Sequence, residues 1–346
     1  MKRVGNLYSK ICNKGNIYKA ISKAGTGKKS RKNVKRILDN QIYYTDLLYE
    51  ILKNKKYRPN PYREIKIQDG VRKKERIIYK PQFYPDQIIH WALMLQLEPI
   101  LMRGMYYYCC GSVKNRGILH GARYIKKILI QDRKNTKYCL KLDVKKFYPS
   151  INKEKLKYKF LKILKCRDTL DLIDQIIDSS KEGLPIGNYT SQWFANFYLQ
   201  DLDHYIKEEL HMKYYIRYMD DMVLFHRNKR ELHKIKEKIE IFLKSENLNL
   251  KENWQLFRTD SRPLDFLGYR FYRGYTTLRR NNCLRIRRRI KRIYKKGKLS
   301  VKDARAVLSY NGWLKYSNSH NYTKKYIKPY ININKCKEVI KNARRK

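Results

Sequence analysis

The chain has 346 residues and carries 81 lysines and arginines against 31 aspartates and glutamates, which gives a formal net charge of +50. So large a positive charge favours a polyanionic partner such as nucleic acid. The apolar fraction of 42% is large enough for a packed core, which excludes a disordered basic tail. No apolar run is long enough for a membrane span, and the seven scattered cysteines predict reduced thiols, no zinc site and a cytoplasmic protein.

The N-terminal region is strongly basic. Residues 1–40 hold 12 lysines and arginines and a single acid, Asp39. We interpret them as a basic arm, partly disordered until it meets nucleic acid. The stretch 25–30 is not a phosphate-binding loop, because Ser22 stands where that motif needs glycine and Lys29 where it needs Ser or Thr. A flexible basic loop is the preferred interpretation.

The middle of the chain alternates short strands with longer helices. Residues 138–144 alternate as a strand does, with Leu140, Leu142 and Val144 on one face and Asp143 on the other. Apolar residues recur at helical spacing from Ser191 to residue 206, and again over residues 232–243. We expect both helices to cover one side of a small antiparallel sheet.

Two β-rich segments flank an acidic pair, Asp220 and Asp221, within residues 214–225. Adjacent carboxylates repel each other, so a fold that gathers them requires a cation. Together with Asp143, they suit two Mg²⁺ ions about 4 Å apart that catalyse phosphoryl transfer, with Mn²⁺ as a substitute. One ion would activate a 3′-hydroxyl, and the other would neutralise the leaving pyrophosphate.

The C-terminal residues 279–346 hold 23 lysines and arginines against two acids. Leu284, Ile286, Ile290 and Ile293 predict a helix with a narrow apolar stripe and a broad cationic face. We expect this face to bind nucleic acid rather than only water. The residues assigned to it are Arg285, Arg287, Arg288, Arg289, Lys291 and Arg292.

Several motifs now carry a family resemblance. Tyr218-Met219-Asp220-Asp221 matches the signature tetrad of reverse transcriptases. Residues 142–148 match their first catalytic motif, and Phe266-Leu267-Gly268 matches their primer grip. Residues 74–78 and 111–117 look like the fingers motifs of the bacterial members. The resemblance follows the order expected of the family from about residue 40 to the C-terminus.

The resemblance implies an α/β fold of the α+β kind, a right-hand polymerase with fingers, a palm of antiparallel sheet backed by helices, and a helical thumb. The expected division is a basic arm at 1–40, fingers at 41–135, palm at 136–278 and a basic thumb at 279–346. A fingers insertion is expected near 152–182 within the palm.

The resemblance also assigns site residues. Asp143 and Asp220 would be the shared metal ligands, with Asp221 in support and the Val144 carbonyl as a backbone ligand. Tyr148 would lie beneath the incoming sugar and exclude a 2′-hydroxyl, the alternative being a core tyrosine. The other residues expected at the triphosphate or the nucleic acid are Lys74, Arg76 and Arg116.

One segment, residues 183–192, refines the assignment. Most bacterial reverse transcriptases have Gln before the second glycine and Pro after the serine, but here Ile186 precedes Gly187 and Gln192 follows Ser191. This variant resembles the enzymes of diversity-generating retroelements, which copy a template RNA with errors opposite adenine. An apolar Ile186 offers shape but no hydrogen bond to the incoming nucleotide, which lowers fidelity. The alternative is that Ile186 only packs beneath the site.

The expected partners are template RNA, the RNA/cDNA duplex, dNTPs and a small basic accessory protein oligomer, in a bacterial or phage-infected cell. Lys251 lies near the place of a general acid, but Trp254 departs from the usual pattern, which leaves that role open. The chain lacks the Asn-Ala-x-x-His and Val-Thr-Gly signatures of retron enzymes. The alternatives are a reverse transcriptase of antiphage defence or another retroelement, and a catalytically idle RNA-binding protein.

Overall fold

In the computed structural model, which describes residues 2–69 and 74–345, the N-terminal region is helical. Its helices are α1 (Leu7–Cys12), α2 (Lys14–Gly25), α3 (Lys32–Asp39) and α4 (Gln41–Lys53). Leu7, Ile11 and Ile17 are buried in the main core. The interpretation of residues 1–40 as a partly disordered arm is therefore wrong. Within α1 and α2, apolar residues recur at helical spacing among the lysines and pack into the core.

A hairpin and two helices follow. Strands β1 (Arg63–Asp69) and β2 (Lys74–Lys80) pair antiparallel. A short π-helical turn at Phe83–Gln87 leads into α5 (Ile88–Arg103), and α6 (Ile118–Gln131) comes after an irregular segment. Helix α5 is apolar on most sides, because α1, α2 and a later helix all pack against it.

The central sheet has four strands in the order β4-β5-β3-β6, and every neighbouring pair is antiparallel. They are β3 (Tyr138–Asp143), β4 (Tyr214–Tyr218), β5 (Asp221–His226) and β6 (Gln255–Arg258). The predicted strand at residues 138–144 and the predicted β-hairpin around the acidic pair are both confirmed. Leu140, Leu142 and Val144 lie in the main core, as the alternation required.

Helices back this sheet. Those between β3 and β4 are α7 (Phe147–Ser150), α8 (Lys153–Ile163), α9 (Arg167–Asp178), α10 (Tyr189–Tyr198) and α11 (Gln200–His204), and a π-helical turn follows at Tyr205–Glu209. Helix α12 (Lys229–Ser245) precedes β6. The helix predicted from Ser191 begins at Tyr189 and is interrupted at Leu199. Its apolar residues and those of α12 share one core with Leu140 and Leu224, so the predicted covering of the sheet is confirmed.

The C-terminal region combines a small sheet with four helices. The sheet is β7 (Leu264–Phe266), β8 (Tyr269–Phe271) and β9 (Thr276–Leu278), and the helices are α13 (Arg280–Lys295), α14 (Val301–Lys315), α15 (His320–Tyr326) and α16 (Ile333–Arg345). Ile286, Ile290 and Ile293 of α13 are buried, but Leu284 is 37% exposed. Its assignment to the predicted stripe is wrong, because Leu284 precedes Ile286 by two residues and is therefore rotated from it by about 200° around the helix axis.

Two hydrophobic cores result. One lies behind the sheet, and the other joins its opposite face to α6, the small sheet and the C-terminal helices. The predicted mixed α and β class is confirmed, whereas the boundaries at residues 40, 135 and 278 and the insertion at 152–182 stay predictions. All seven cysteines are free thiols. Within the described residues, no helix is both long and apolar enough to cross a membrane.

Candidate active site

The sheet register brings the three acids to one place. Asp143 at the end of β3 is the direct antiparallel partner of Asp221 at the start of β5. Tyr218 pairs with Asp221, so Met219 and Asp220 form the two-residue turn between β4 and β5. The backbone N–H of Val144 donates to the Asp220 carbonyl over 3.4 Å. Two distant segments thus deliver three carboxylates to one edge of the sheet.

A lysine neutralises part of this charge. Lys251 lies beside Asp143 because its N–H donates to the Asp143 carbonyl at 2.8 Å, and the Lys145 N–H donates to the Asn249 carbonyl at 2.7 Å. The Lys251 Nζ then lies 2.5 Å from Asp143 Oδ2. The structure therefore places Lys251 at the acid cluster, although the sequence alone left its role open.

Protein groups compensate the remaining charge only in part. Asp143 Oδ1 is buried without a hydrogen-bond partner. Burial and the neighbouring Asp143 charge raise the pKa of Asp220 to about 6. Burial also raises the pKa of Asp221, against the opposing charge of Lys141. A bound cation would give the Asp143 oxygen a partner and would favour ionisation of Asp220. These residues therefore fit a divalent ion.

Protein side chains alone do not complete a metal site. Within the described part of the chain, no group of three or more His, Cys, Asp or Glu side chains is arranged to hold an ion. This agrees with the way proteins bind Mg²⁺, which takes one or two carboxylates and fills its other positions with water and substrate phosphates. The Val144 carbonyl, directly after Asp143, is the backbone oxygen expected to contribute.

A buried ion pair holds the acidic turn. Arg217, fully buried on β4, donates from Nε to Asp203 Oδ1 at 2.7 Å and from an Nη to Asp203 Oδ2 at 2.5 Å. The same guanidinium donates to the Met219 carbonyl at 3.0 Å. Met219 has a φ of 56°, which is strained for a residue that is not glycine. The bond from Arg217 therefore stabilises the backbone conformation that presents Asp220.

Asn196 of α10 extends this network. Its Oδ1 accepts from Arg217 at 3.0 Å, and its Nδ2 donates to the Gly111 carbonyl at 2.6 Å. Gly111 lies against the turn so closely that a Cβ there would be 2.7 Å from the backbone nitrogen of Met219. Glycine is therefore required at this position, and the segment before α6 is bound to the acidic hairpin.

Two of the predicted nucleotide-binding residues, Tyr148 and Ile186, are connected through the segment between them. Burial, followed by the charge of Asp220, raises the pKa of Tyr148. The Tyr148 carbonyl accepts from the Leu184 N–H at 2.9 Å, and the Ile186 carbonyl accepts from the Tyr79 N–H at 2.8 Å. Residues 183–186 thus connect the β2 strand to the acid cluster, with Ile186 half-buried.

Gly187 and Gln192 face a different environment. They line a cavity of about 670 Å³ together with the cations Lys23, Lys28 and Lys80. Lys28, which the sequence placed in a flexible loop, donates to Gln87 Oε1 at 2.6 Å. Arg76 lies on β2, as does Lys74, whose side chain falls outside the described residues.

The predicted primer grip is a tight turn. Leu267 and Gly268 join β7 to β8 with φ values of 52° and 83°. Phe266 and Leu267 are buried, so only the backbone of this turn is available to a primer. Lys141 of β3 donates to the Asp265 carbonyl at 3.0 Å, which attaches the turn to the strand that carries Asp143.

The predicted cationic face of α13 is divided. Arg285, Arg288, Lys291 and Arg292 are exposed, whereas the Arg287 guanidinium lies 4.5 Å from the centre of the Tyr326 ring. Arg289 bonds to Asp303 of α14 at 2.5 Å, and Asp303 is buried. The expectation that Arg289 faces nucleic acid needs correction, because its charge is already neutralised between two helices. Arg116 donates to the carbonyls of Met105 and Tyr106.

Sequence reasoning missed the residues that support the site. Arg217, Asp203 and Asn196 gave no local signal, because a charged residue in a strand or helix normally faces water. One clue was available: Arg217 lies between Ile216 and Tyr218, in a segment whose other residues are aromatic or apolar. An arginine there predicts a buried counter-charge, although not its identity.

Comparison with known proteins identifies similar chains. A sequence profile of the family described as "Reverse transcriptase (RNA-dependent DNA polymerase)" matches residues 67–271, more than half of the chain. The retron Ec73 reverse transcriptase of Escherichia coli is 30% identical over 162 residues, which cover 43% of this chain and 48% of that protein. The chain therefore spans about half the length of this curated relative.

Solved structures with a similar arrangement include two telomerases. The apo telomerase from Candida tropicalis, truncated from its C-terminal domain, has a TM-score of 0.48 and 15% identity, covering 66% of this chain and 58% of its own. Telomerase from Candida albicans with the TWJ fragment of telomeric RNA has a TM-score of 0.48 and 13% identity, covering 82% and 60%.

Replacing Asp203 with Asn tests the buried ion pair. We expect Asp203→Asn to lower the free energy of unfolding by about 3–5 kcal/mol, because Arg217 would remain buried without its counter-charge. Urea denaturation measures this loss. The matched control is Asp171→Asn, which removes the exposed pair with Arg167 at 3.2 Å and should change stability by less than about 1 kcal/mol. Equal losses in the two variants would contradict the role given to Arg217.

The raised pKa of Asp220 predicts a pH dependence. The pKa of Asp220 is higher in the folded state than in the unfolded state, so protonation of Asp220 stabilises the fold. This contribution to stability is lost as pH rises through about 6. Without divalent ions, Asp220→Asn should be more stable than the wild type by about 1–3 kcal/mol at pH 8 and nearly equal at pH 4. Denaturation between pH 4 and 8 measures the difference, and Mg²⁺ should stabilise the wild type more than the variant. Parallel pH curves would contradict the prediction.

Proposed function

The chain belongs to the reverse transcriptase (RNA-dependent DNA polymerase) family, and we propose that it is itself an RNA-directed DNA polymerase that extends a primer on an RNA template. The observation that carries the proposal is the pairing of Asp143 with Asp221, beside Asp220 in the turn. The unpartnered Asp143 Oδ1 supports a cation at this position. The net charge of +50 supports a nucleic-acid substrate.

The proposed chemistry is nucleotidyl transfer in a right-hand polymerase. Two Mg²⁺ ions held by Asp143 and Asp220, with Asp221 and the Val144 carbonyl in support, would lower the pKa of the primer 3′-hydroxyl and stabilise charge on the leaving pyrophosphate. Arg217 keeps the turn in place through the Met219 carbonyl. Lys251 holds the Asp143 carboxylate by a direct ion pair.

Substrate selection is assigned to Tyr148 and the segment around Ile186. A Tyr148 ring beneath the incoming sugar would clash with a 2′-hydroxyl, which would favour dNTPs. We assign Arg76 and Lys74 of β2 to the triphosphate. The backbone bond between Ile186 and Tyr79 supports this arrangement, because it joins the two segments that would contact the same nucleotide.

Duplex binding is assigned to α13 and the turn at Leu267 and Gly268. The exposed cations Arg285, Arg288, Lys291 and Arg292 suit phosphate contacts that do not read sequence. The backbone at Gly268 would contact the primer strand. A small basic accessory protein oligomer stays part of the proposal as a partner that helps bind the template RNA.

The finer proposal is an error-prone enzyme of a diversity-generating retroelement. Its support is the Ile186 and Gln192 variant of the motif, together with the half-buried, wholly apolar side chain of Ile186. Weaker polar positioning of the base pair lowers the discrimination between correct and incorrect nucleotides.

A second candidate is a reverse transcriptase of the retron type. Its support is the similarity to the retron Ec73 enzyme, although the chain lacks the two retron signatures. Such an enzyme, like one used in antiphage defence, would share the catalytic residues and differ in its template. The third alternative, a catalytically idle RNA-binding protein, is disfavoured because three gathered carboxylates destabilise a fold that has no cation to bind.

Primer extension tests the proposed activity. We expect the purified chain to extend a DNA primer on an RNA template with dNTPs and Mg²⁺, and Asp220→Ala to abolish incorporation while RNA affinity changes less than about twofold. Gel analysis of the products and a separate binding assay measure the two effects. Asp171→Asn serves as the control with normal activity. Normal incorporation by Asp220→Ala would contradict the assigned site.

Sequencing of the products tests the finer proposal. We expect wild-type errors to concentrate opposite template adenine, and Ile186→Gln to reduce them about tenfold by restoring a polar contact to the nucleotide. Ile186→Val, which keeps an apolar side chain of similar shape, should leave the error spectrum unchanged. An accurate wild type would favour the retron-type candidate, and an unchanged spectrum in Ile186→Gln would support a packing role for Ile186.

A further inference from the structure

A cluster of aromatic rings lies on the surface beside the acidic hairpin. Tyr107 is 57% exposed, although it is in contact with other rings. Its ring stands at 82° to Tyr108 and at 75° to His120, with both centroids 5.0 Å away. Tyr108 in turn stacks on Tyr124 at 3.6 Å. An exposed ring is therefore held rigidly by its neighbours instead of rotating freely.

A cation is positioned over this ring. The Arg116 guanidinium lies 5.1 Å from the centre of Tyr107. Its bonds to the carbonyls of Met105 and Tyr106, at 3.4 and 3.2 Å, keep it there. Proteins stack unpaired bases on aromatic rings and on guanidinium planes, and they bind the phosphate backbone with cations.

The surroundings favour a polyanion. Residues 99–131 contain six lysines and arginines and no acid. Burial, and then the charges of Arg116 and Arg123, lower the pKa of His120, whose ring stacks on Tyr108 at 5.5 Å. Arg123 donates to the Tyr316 hydroxyl at 2.7 Å, which connects the cluster to the C-terminal helices.

The cluster is attached to the strand that carries the acidic turn. Cys109, two residues after Tyr107, bridges to Arg217 of β4, and the Cys110 N–H donates to the Arg217 carbonyl at 2.8 Å. Tyr107 is therefore fixed to the edge of the catalytic sheet and not to a separate lobe. A strand of nucleic acid that enters or leaves the site along this edge would pass it.

From this geometry we propose that Tyr107, with His120 and Arg116, is a stacking site for an unpaired nucleobase outside the polymerising duplex. The inference deepens the proposed function and rests on it. The ligand is single-stranded nucleic acid: the base lies against the Tyr107 ring, and a neighbouring phosphate lies at Arg116. The strand is either the unpaired RNA template or the released DNA.

Packing alone does not account for Tyr107, since more than half of its surface is exposed. The chain offers a matched comparison in Tyr158 of α8, which is 59% exposed and has Lys162 Nζ 4.8 Å from its ring centre. Among the described residues, no other aromatic ring contacts Tyr158. It is thus an equally exposed tyrosine beside a cation, but without the rigid aromatic support.

The test compares single-stranded and duplex probes with the full chain. Fluorescence polarisation would measure the Kd for an RNA/DNA duplex with blunt ends, with an unpaired RNA extension, and with an unpaired DNA extension, without dNTPs. We expect Tyr107→Ala to raise the Kd for an extended probe about 5- to 100-fold and the blunt-end Kd less than about twofold. Tyr107→Phe, which keeps the ring, and the control Tyr158→Ala should bind all probes like the wild type.

The two extensions distinguish the sources of the base. A loss confined to the RNA extension assigns the site to the template, and a loss confined to the DNA extension assigns it to the product. A 2-aminopurine in that extension should be quenched by the wild type and not by Tyr107→Ala. Unchanged affinity of Tyr107→Ala for every probe, or an equal loss on blunt duplex, would overturn the inference.

Primer extension separates this inference from the proposed activity. A wild type that extends primers while Tyr107→Ala binds normally would refute the stacking site and leave the polymerase intact. A wild type that binds the extended probes through Tyr107 but incorporates no nucleotide would refute the polymerase and leave the stacking site in place.

Discussion

The buried ion pair between Arg217 and Asp203 is the interaction on which the candidate site depends. Both side chains are fully buried, and isolated charges in such surroundings are strongly unfavourable. The pair is tolerable only because the hydrogen bonds are nearly complete: Asn196, the Met219 carbonyl and the Tyr215 hydroxyl supply the other contacts. These partners come from β4, α10, α11 and the turn itself. The hydrogen bonds and the ion pair of Arg217 therefore determine how these four elements pack together.

The consequence is a rigid acidic hairpin in a strongly cationic molecule. The turn is strained at Met219, and the carboxylates beside it repel each other. Both effects favour opening of the turn, and the Arg217 network opposes them from within the core. Lys251 offsets part of the acid charge from the other side, while Asp143 Oδ1 stays without a partner. The acid cluster is therefore short of positive charge, which a divalent ion would supply.

Prediction from sequence succeeded where one segment carries its own pattern. The strand at residues 138–144 shows a period of two and the helix α12 a period of 3.6, and the acidic hairpin has β-rich segments on both sides of its Asp pair. All three are present. It failed where composition was used in place of pattern. Residues 1–40 were interpreted by their charge, yet Leu7, Ile11 and Ile17 lie in the core. Leu284 was assigned to a stripe by its apolarity, although its angular position on α13 faces solvent.

The sequence by itself determined which residues are chemically suited to the site, since three acids in β-rich surroundings and a surplus of cations require no structure to be recognised. Only the tertiary structure decided their partners. It paired Arg217 with Asp203, placed Lys251 at Asp143, neutralised Arg289 with Asp303 and held Tyr107 beside His120. The physical reason is that periodicity is a local property of the chain, whereas hydrogen bonds between charged side chains act over a few ångströms between segments far apart in sequence.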